Sequence, residues 1–128
     1  MILDSSALVA IALREPGADE LMRAISAAET VAVGAPTLVE TAMVLTARLG
    51  TQSVETLADF LRDGDVTVIE FGESHWRTAV EAFDRYGKGR HPAALNFGDC
   101  LAYATATIAE LPLLARGGDF APTDLALV

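Results

Sequence analysis

Short apolar runs alternate along the whole chain with segments in which apolar residues recur every three or four positions. The short runs predict buried strands over 1–3, 30–33, 66–69 and 113–114, with a further strand over 125–128. The periodic segments predict helices over 7–13, 18–28, 36–48, 53–61, 75–86 and 99–110. This alternation predicts an α/β fold in a single domain spanning 1–128, a three-layer α/β/α sandwich around a central parallel sheet.

Proline, glycine and serine mark the predicted element boundaries. Pro36 suits the first turn of a helix, and Ser74 suits the N-cap of another. Residues 88–97 form the one long stretch without a periodic pattern. Trp76 and Phe83 lie seven positions apart on one helix face, so we expect both in the core. Glycines are expected to end three helices, at positions 50, 64 and 87.

Composition and charge limit the class of protein. The 128 residues are 52 % hydrophobic and carry a formal net charge of −9, which argues against a protein that grips nucleic acid over its whole surface. A nuclease stays possible, because a bound metal inverts the local field. No apolar stretch approaches the roughly 18 residues of a membrane span, and no basic leader precedes the first strand. The single cysteine, Cys100, is predicted to be a small buried hydrophobic residue. Together these features predict a cytoplasmic protein with no membrane segment.

Four acidic residues, Asp4, Glu40, Asp99 and Asp119, each come soon after an apolar run. Because the carboxyl ends of parallel strands meet at one edge of a sheet, we expect the four carboxylates to gather there. Carboxylates about 4 Å apart repel by roughly 4 kcal/mol per pair at an effective dielectric constant near 20. Such a cluster persists when it is protonated, paired with cations or bound to a hard divalent ion with oxygen ligands.

Each acid also has a purely structural explanation. Asp4 and Asp99 both lie where a helix begins, and Asp is a good N-cap. An acid early in a helix, such as Glu40, complements the helix dipole, and Asp119 suits a turn. Two neighbouring polar groups could support the acids, the Ser6 hydroxyl and the Asn96 amide. The prediction of a site therefore rests on the four acids together.

The candidate counter-charges lie late in the chain. They are Arg85, Lys88, Arg90 and Arg116, and they either form a solvated surface or hold the phosphates of an RNA strand that passes the acidic site. The two histidines, His75 and His91, lack metal-ligand spacing with a second His or Cys.

Four segments of the chain resemble the PIN-domain ribonucleases, and in detail the VapC toxins of bacterial type II toxin–antitoxin modules. The resemblance covers essentially the whole chain in the expected order. The segment around Asp99 is its most characteristic part. The segments are MILDSSA (1–7), PTLVE (36–40), LNFGDCLAYA (95–104) and LLARGGDF (113–120).

The resemblance implies an endoribonuclease that uses Mg²⁺ or Mn²⁺. By analogy, Asp4 and Asp99 match the principal metal ligands, Glu40 the third acid and Ser6 the hydroxyl beside the first. Many PIN domains place the fourth acid where this chain has Gly117, two residues before Asp119.

The resemblance also implies partners, namely RNA as substrate, a second copy of the chain in a homodimer, and a VapB-type antitoxin in a heterotetramer or larger assembly. The apolar helices predicted over 18–28 and 54–61 could form a groove for an amphipathic antitoxin helix. An antitoxin arginine could then reach the acidic site.

The sequence is also consistent with two other hypotheses about function. A phosphorylated receiver would need a lysine near its acidic pocket, but the only lysine, Lys88, lies in the irregular stretch. A catalytically inactive PIN-like binding module would show no Mg²⁺-dependent cleavage of RNA.

Overall fold

Four short parallel strands form the central sheet of the computed structural model, which describes residues 1–128. The strands are β1 (Ile2–Leu3), β2 (Ala32–Gly34), β3 (Thr67–Ile69) and β4 (Leu113–Leu114). Their order across the sheet is β3-β2-β1-β4. The central strand, β1, pairs in parallel with β2 on one side and β4 on the other. The carboxyl ends of β1, β2 and β4 therefore lie side by side.

Six helices connect and cover the strands, as the sequence predicts. They are α1 (Ser5–Ala12), α2 (Ala18–Ala27), α3 (Ala35–Leu49), α4 (Ser53–Asp63), α5 (Glu73–Tyr86) and α6 (Phe97–Ala109). None of them combines the length and apolar composition needed to cross a membrane.

The helix α5 begins earlier than predicted. Its N-cap is Gly72, and Ser74 lies inside the first turn. The reason is His75, whose Nδ1 accepts a hydrogen bond of 3.2 Å from the backbone N–H of Gly72. The His75 side chain, three residues after the N-cap, thus provides the capping interaction that was predicted for Ser74.

Side chains alternate between the two faces of the sheet and form two separate cores. Leu3, Val33 and Leu114 point to the face covered by α1, α2 and α4, and all three are buried. Ile2 and Leu113 point to the other face, where they pack against residues of α5 and α6. Two layers of helices enclose one sheet, which confirms the predicted α/β/α sandwich.

The last residues of the chain do not form the predicted strand over 125–128. Leu127 makes one isolated bridge to Leu113. Two backbone hydrogen bonds join Leu113 to Ala126 at 2.9 Å and to Val128 at 3.1 Å. Just before this segment, Asp124 accepts hydrogen bonds from the Tyr103 hydroxyl at 2.6 Å and from Arg85 at 2.9 Å. Burial, together with the bond to Asp124, raises the pKa of Tyr103 to about 12.

The prediction that Trp76 and Phe83 belong to the core is wrong. Their exposed fractions are 45 % and 42 %. Small residues of α5, Ala79 and Ala82, make the contact with the core instead. The large side chains of α5 therefore cover the outside of the domain.

Candidate active site

Asp4 is a buried carboxylate at the end of the central strand. Its backbone N–H donates to the carbonyl of Leu114 at 3.0 Å, which fixes it beside β4, and its residue exposure is only 3 %. One carboxylate oxygen, Oδ2, accepts hydrogen bonds from the Ser6 N–H at 2.9 Å and the Ser6 hydroxyl at 2.5 Å. Asp4 is thus the N-cap of α1, as the structural explanation predicts. The bonds to Ser6 use Oδ2 alone, which leaves Oδ1 available to a ligand.

Ser6 connects Asp4 to the segment that follows β4. Its hydroxyl oxygen donates to Asp4 and accepts a hydrogen bond of 2.9 Å from the backbone N–H of Arg116. One small side chain therefore fixes both the buried carboxylate and the start of the loop that carries Asp119.

Asn96 and Asp99 cap the start of α6 reciprocally. The Asn96 side chain accepts a hydrogen bond of 2.9 Å from the Asp99 N–H, and Asp99 Oδ2 accepts one of 2.8 Å from the Asn96 N–H. Asn96 is the N-cap, so α6 begins two residues before the predicted start at Asp99. This box holds the half-buried Asp99 carboxylate at the N-terminus of the helix, where the helix dipole favours a negative charge.

Glu40 lies on α3 and rests against the backbone of Gly98. A methyl group added to Gly98 would lie 2.6 Å from both carboxylate oxygens of Glu40. Gly98 lies in the first turn of α6 and leaves space for this carboxylate. Glycine at an early helical position, where alanine is favoured by propensity, was the available signal.

Close packing at the end of β2 brings α3 and α6 together. A methyl group added to Gly34 would lie 2.8 Å from the Thr105 hydroxyl oxygen on α6. Gly34 is also the N-cap of α3. The absence of a side chain at Gly34 therefore allows the start of α3 to lie close to α6.

Asp119 lies in an exposed turn after β4. Its neighbour Phe120 is buried, with an exposed fraction of 4 %, and packs into the core with Ile2 and Leu113. This anchor holds the turn at the same edge of the sheet. The charge of Asp119 acts on Asp99 and contributes to raising the pKa of that carboxyl group.

The four acids interact electrostatically. Burial is the main cause that raises the pKa of Glu40, with further increases from Asp4 and Asp99 and an opposing effect of the Ser5 hydroxyl. Burial also raises the pKa of Asp99; the bond from Asn96 opposes this shift, and Asp4 and Asp119 add to it. The sheet edge therefore brings Asp4, Glu40 and Asp99 within electrostatic reach of one another, while Asp119 acts on Asp99 alone. None of the four acids forms an ion pair with a basic side chain.

The carboxylates do not by themselves form a complete ligand cage. No group of three or more His, Cys, Asp or Glu side chains is arranged so that it could hold a metal ion. A cation at this edge would therefore be bound by few carboxylates. Water or a substrate oxygen would have to complete its shell, as is common for Mg²⁺.

Three of the four predicted RNA-binding cations already form ion pairs within the chain. Arg85 pairs with Asp124 at 2.9 Å, Arg90 pairs with Asp84 at 2.8 Å, and Arg116 pairs with Glu15. Lys88 is exposed and forms no ion pair. None of these cations pairs with the acidic quartet.

Comparison with known proteins gives the family. The family model described as PIN domain matches residues 1–125. Ribonuclease VapC36 of Mycobacterium tuberculosis is 46 % identical over 127 residues, which cover 98 % of this chain and 91 % of the relative. Ribonuclease VapC30 of the same organism is 38 % identical over 128 residues, which cover 100 % of this chain and 98 % of the relative.

Solved structures share the fold at low sequence identity. The toxin VapC20 of Mycobacterium tuberculosis superposes with a TM-score of 0.81 at 19 % identity, covering 99 % of this chain and 97 % of that one. A toxin–antitoxin complex from Klebsiella pneumoniae gives 0.73 at 18 % identity, covering 99 % and 95 %. This chain therefore belongs to the PIN-domain family, among the VapC ribonucleases.

Proposed function

We propose that this chain is an endoribonuclease toxin that hydrolyses RNA phosphodiester bonds with a metal-activated water at Asp4, Glu40, Asp99 and Asp119. The observation that carries the proposal is the uncompensated cluster of carboxylates at one sheet edge, in which burial and mutual repulsion raise the pKa values of Glu40 and Asp99. Carboxylates in one cleft whose pKa values are shifted by burial and by one another are typical of functional sites. The ribonuclease names of relatives up to 46 % identical give the substrate class.

The donor set fits a hard divalent cation. All four side chains offer carboxylate oxygen, which Mg²⁺ and Mn²⁺ prefer. Asp4 and Asp99 would hold the ion, Asp4 through the Oδ1 that its bonds to Ser6 leave available. When bound, the ion supplies Lewis-acid polarisation of the phosphate and lowers the pKa of a bound water.

The protein's own groups would prepare the site for this chemistry. Ser6 and Asn96 fix the orientations of Asp4 and Asp99 through the hydrogen bonds described above. Glu40, whose pKa is raised, would accept a hydrogen bond from the attacking water, and Asp119 would orient that water or help to hold a second ion.

The RNA backbone would approach over the cations late in the chain. Lys88 is available to a phosphate without losing a partner, whereas Arg85, Arg90 and Arg116 would exchange a carboxylate for a phosphate. These four residues remain a prediction for RNA binding. RNA as substrate and the free thiol of Cys100 both fit the cytoplasm.

Cleavage assays with purified protein and total RNA test this function. We expect discrete cuts with Mg²⁺ or Mn²⁺ and none after chelation with EDTA. Mapping of the cut ends identifies the target RNA and the cleaved bond. Intact RNA with either metal, from a protein whose circular dichroism shows it is folded, would favour an inactive binding module.

Gly98→Ala should change the geometry of the site while the stability of the fold stays nearly the same. The new methyl group would displace the Glu40 carboxylate, so we expect RNA cleavage to fall by about 10- to 100-fold. The free energy of unfolding should change by less than about 1 kcal/mol, because alanine is a better helix former and a flexible side chain can move. Gly72→Ala is the matched control, since a methyl group there meets open space. Equal activity of both variants in a kinetic assay would contradict the role of Gly98.

The toxin class implies an antitoxin, and the structure offers two grooves for one. One lies between α1, α3 and α4, and the other between α2 and the end of α4; Phe60 lines both. Met22 and Ile25 are among the apolar residues that line the second groove, and Asp63 and Asp65 line it as well. We propose that a basic amphipathic segment of a VapB-type antitoxin binds here, which agrees with the predicted role of α2 and α4.

A further inference from the structure

A buried tyrosine on α6 holds the segment of the chain that follows Asp119. The Tyr103 residue is only 4 % exposed, and its hydroxyl donates a hydrogen bond of 2.6 Å to Asp124 Oδ1. Arg85 on α5 donates to the other carboxylate oxygen, Asp124 Oδ2, at 2.9 Å. We call Arg85, Tyr103 and Asp124 the tyrosine clamp. The clamp ties the segment after β4 to two helices that cover one face of the sheet.

The tyrosine clamp lies on the same helix as one of the acids of the site. Asp99 and Tyr103 are four residues apart on α6, so both lie on one side of that helix. Asp119 and Asp124 belong to one short segment. We propose that Tyr103 is a positioning residue of the ribonuclease site, which acts through Asp124 to fix the place of Asp119 relative to Asp99. The positioning role rests on the proposed ribonuclease function, whereas the clamp itself does not.

Two successive turns over 118–123 connect the acidic site to the tyrosine clamp. The backbone N–H of Ala121 donates to the Gly118 carbonyl at 3.2 Å, and that of Thr123 donates to the Phe120 carbonyl at 3.0 Å. The Thr123 hydroxyl donates to the same carbonyl at 2.7 Å. Because these bonds stiffen the connection, a displacement of the clamp moves the turn that carries the acid.

Asp119 has little support on its other side. Gly117 and Gly118 come directly before it, Gly117 with a φ of 100°, and glycine is the residue with the most backbone freedom. Asp119 forms no ion pair, whereas Ser6 and Asn96 hold the other acids by hydrogen bonds. Burial of Phe120 anchors the turn, but hydrophobic contact is not directional. The directional bonds that orient this turn therefore come from the tyrosine clamp.

The groups of the clamp are in the right protonation states at neutral pH. Burial, followed by the bond to Asp124, raises the pKa of Tyr103 to about 12, and the bond from Tyr103 lowers the pKa of Asp124. The hydroxyl thus keeps its proton and the carboxylate is ionised, which makes their hydrogen bond short and strong. Arg85 is also fixed, because it donates to the Tyr86 hydroxyl at 2.7 Å and stacks on that ring.

The alternative is that the tyrosine clamp only anchors the end of the chain. This end has an attachment of its own, since Leu113 of β4 forms backbone hydrogen bonds with Ala126 and Val128. The Tyr103 hydroxyl is therefore not needed to keep the terminus on the sheet. A variant that lacks this hydroxyl should lose more in catalysis than in folding.

Tyr103→Phe removes the hydroxyl and keeps the ring. We expect kcat for RNA cleavage with Mg²⁺ to fall about tenfold while KM stays within about twofold, because a displaced Asp119 affects the chemistry and not RNA binding. In an Asp119→Asn background, the same substitution should lower kcat by less than about twofold. Thr78→Val is the matched control, since it removes a hydroxyl of α5 that bonds only to the Ser74 carbonyl. It should cleave like the wild type.

Hydrogen exchange tests the tyrosine clamp without RNA or metal. In Tyr103→Phe, the amides of Ala121 and Thr123 should exchange at least about tenfold faster than in the wild type. The amide of Ala32, which bonds to Met1 in the central sheet, should exchange at the wild-type rate. Circular dichroism verifies the fold of each variant.

Three results would overturn the proposal. An equal fall of kcat with and without Asp119 would mean that Tyr103→Phe acts only by weakening the fold. A higher KM at unchanged kcat would mean that the cluster serves RNA binding through Arg85. Unchanged exchange of both amides would mean that the hydroxyl does not hold the turn. A folded wild-type chain that cleaves no RNA would refute the ribonuclease function and the positioning role with it, whereas hydrogen exchange decides separately whether the clamp holds the turn.

Discussion

Asp4→Asn and Asp99→Asn are each expected to lower RNA cleavage by at least about 100-fold while the fold stays intact. Asp4 is the N-cap of α1, and Asp99 completes the capping box of α6, so alanine would remove a capping interaction together with the charge. At the N-cap Asp4 this loss would cost about 0.5–2 kcal/mol. Asparagine is a good capping residue and keeps one oxygen acceptor. It can still accept the hydrogen bonds from Ser6 or Asn96, so the substitution removes the charge alone.

These variants should also be no less stable than the wild type. Asp4 raises the pKa values of both Glu40 and Asp99, which means that the three carboxylates repel one another in the folded state. Removing one charge relieves this repulsion. An inactive variant with an equal or higher midpoint of thermal unfolding would show that the acids are kept for function and not for folding.

Asp65→Asn is the matched control for this assay. Asp65 is exposed, far from the four acids in the sequence, and has a φ of 49°, a conformation that asparagine tolerates. The Asp65→Asn variant should cleave RNA at the wild-type rate. Full activity of Asp4→Asn or Asp99→Asn in the same assay would refute their role at the site.

The fold was predictable because its signals are local. Runs of apolar residues that alternate with helical periodicity leave few alternatives to a parallel sheet between helices. The position of Asp4 followed from this topology, since β1 is flanked by β2 and β4 and all three end at one edge. Asp99 also lies in the first turn of a helix, close to the predicted helix start. That helix begins two residues earlier than predicted because Asn96 is its N-cap.

Features that depend on contacts between distant segments were not predictable. The space that Gly98 leaves for Glu40 exists only once α3 and α6 pack together. The partners of Arg85 and Arg116 lie 39 and 101 residues away along the chain. Hydrophobic spacing on α5 also could not show which face is buried, since Ala79 and Ala82 reach the core and Trp76 does not.

Mg²⁺ is expected to stabilise the folded chain at neutral pH and to lose this effect as the pH falls. An ion that binds only the folded state at ten times its dissociation constant adds about 1.4 kcal/mol, which raises the unfolding midpoint by a few degrees. Metal ligands must be deprotonated. Because the pKa values of Glu40 and Asp99 are raised, protons compete with the ion at a higher pH than for ordinary carboxylates.

Without metal, the contribution of Glu40 and Asp99 to stability changes with pH in the opposite direction to the stabilisation by Mg²⁺. A carboxyl group whose pKa is higher in the folded than in the unfolded state binds more protons when folded. Its contribution to stability is therefore full below the unfolded value of about 4 and is lost as the pH rises through the folded value. Glu40 and Asp99 thus destabilise the metal-free protein at neutral pH, and the bound ion offsets this cost.

Thermal unfolding with Mg²⁺ and with NaCl of equal ionic strength, from neutral pH downward, measures the effect. At each pH, subtracting the midpoint in NaCl from the midpoint in Mg²⁺ removes the contributions of groups that do not face the ion. Asp124 is one such group, and its pKa is lowered by Tyr103 and Arg85. Asp99→Asn should remove most of the difference, and Asp65→Asn should keep it. A difference that is independent of pH, or equal in Asp99→Asn and the wild type, would mean that Mg²⁺ binds elsewhere. The acidic edge would then lose its assignment as a metal site even if the chain cleaves RNA.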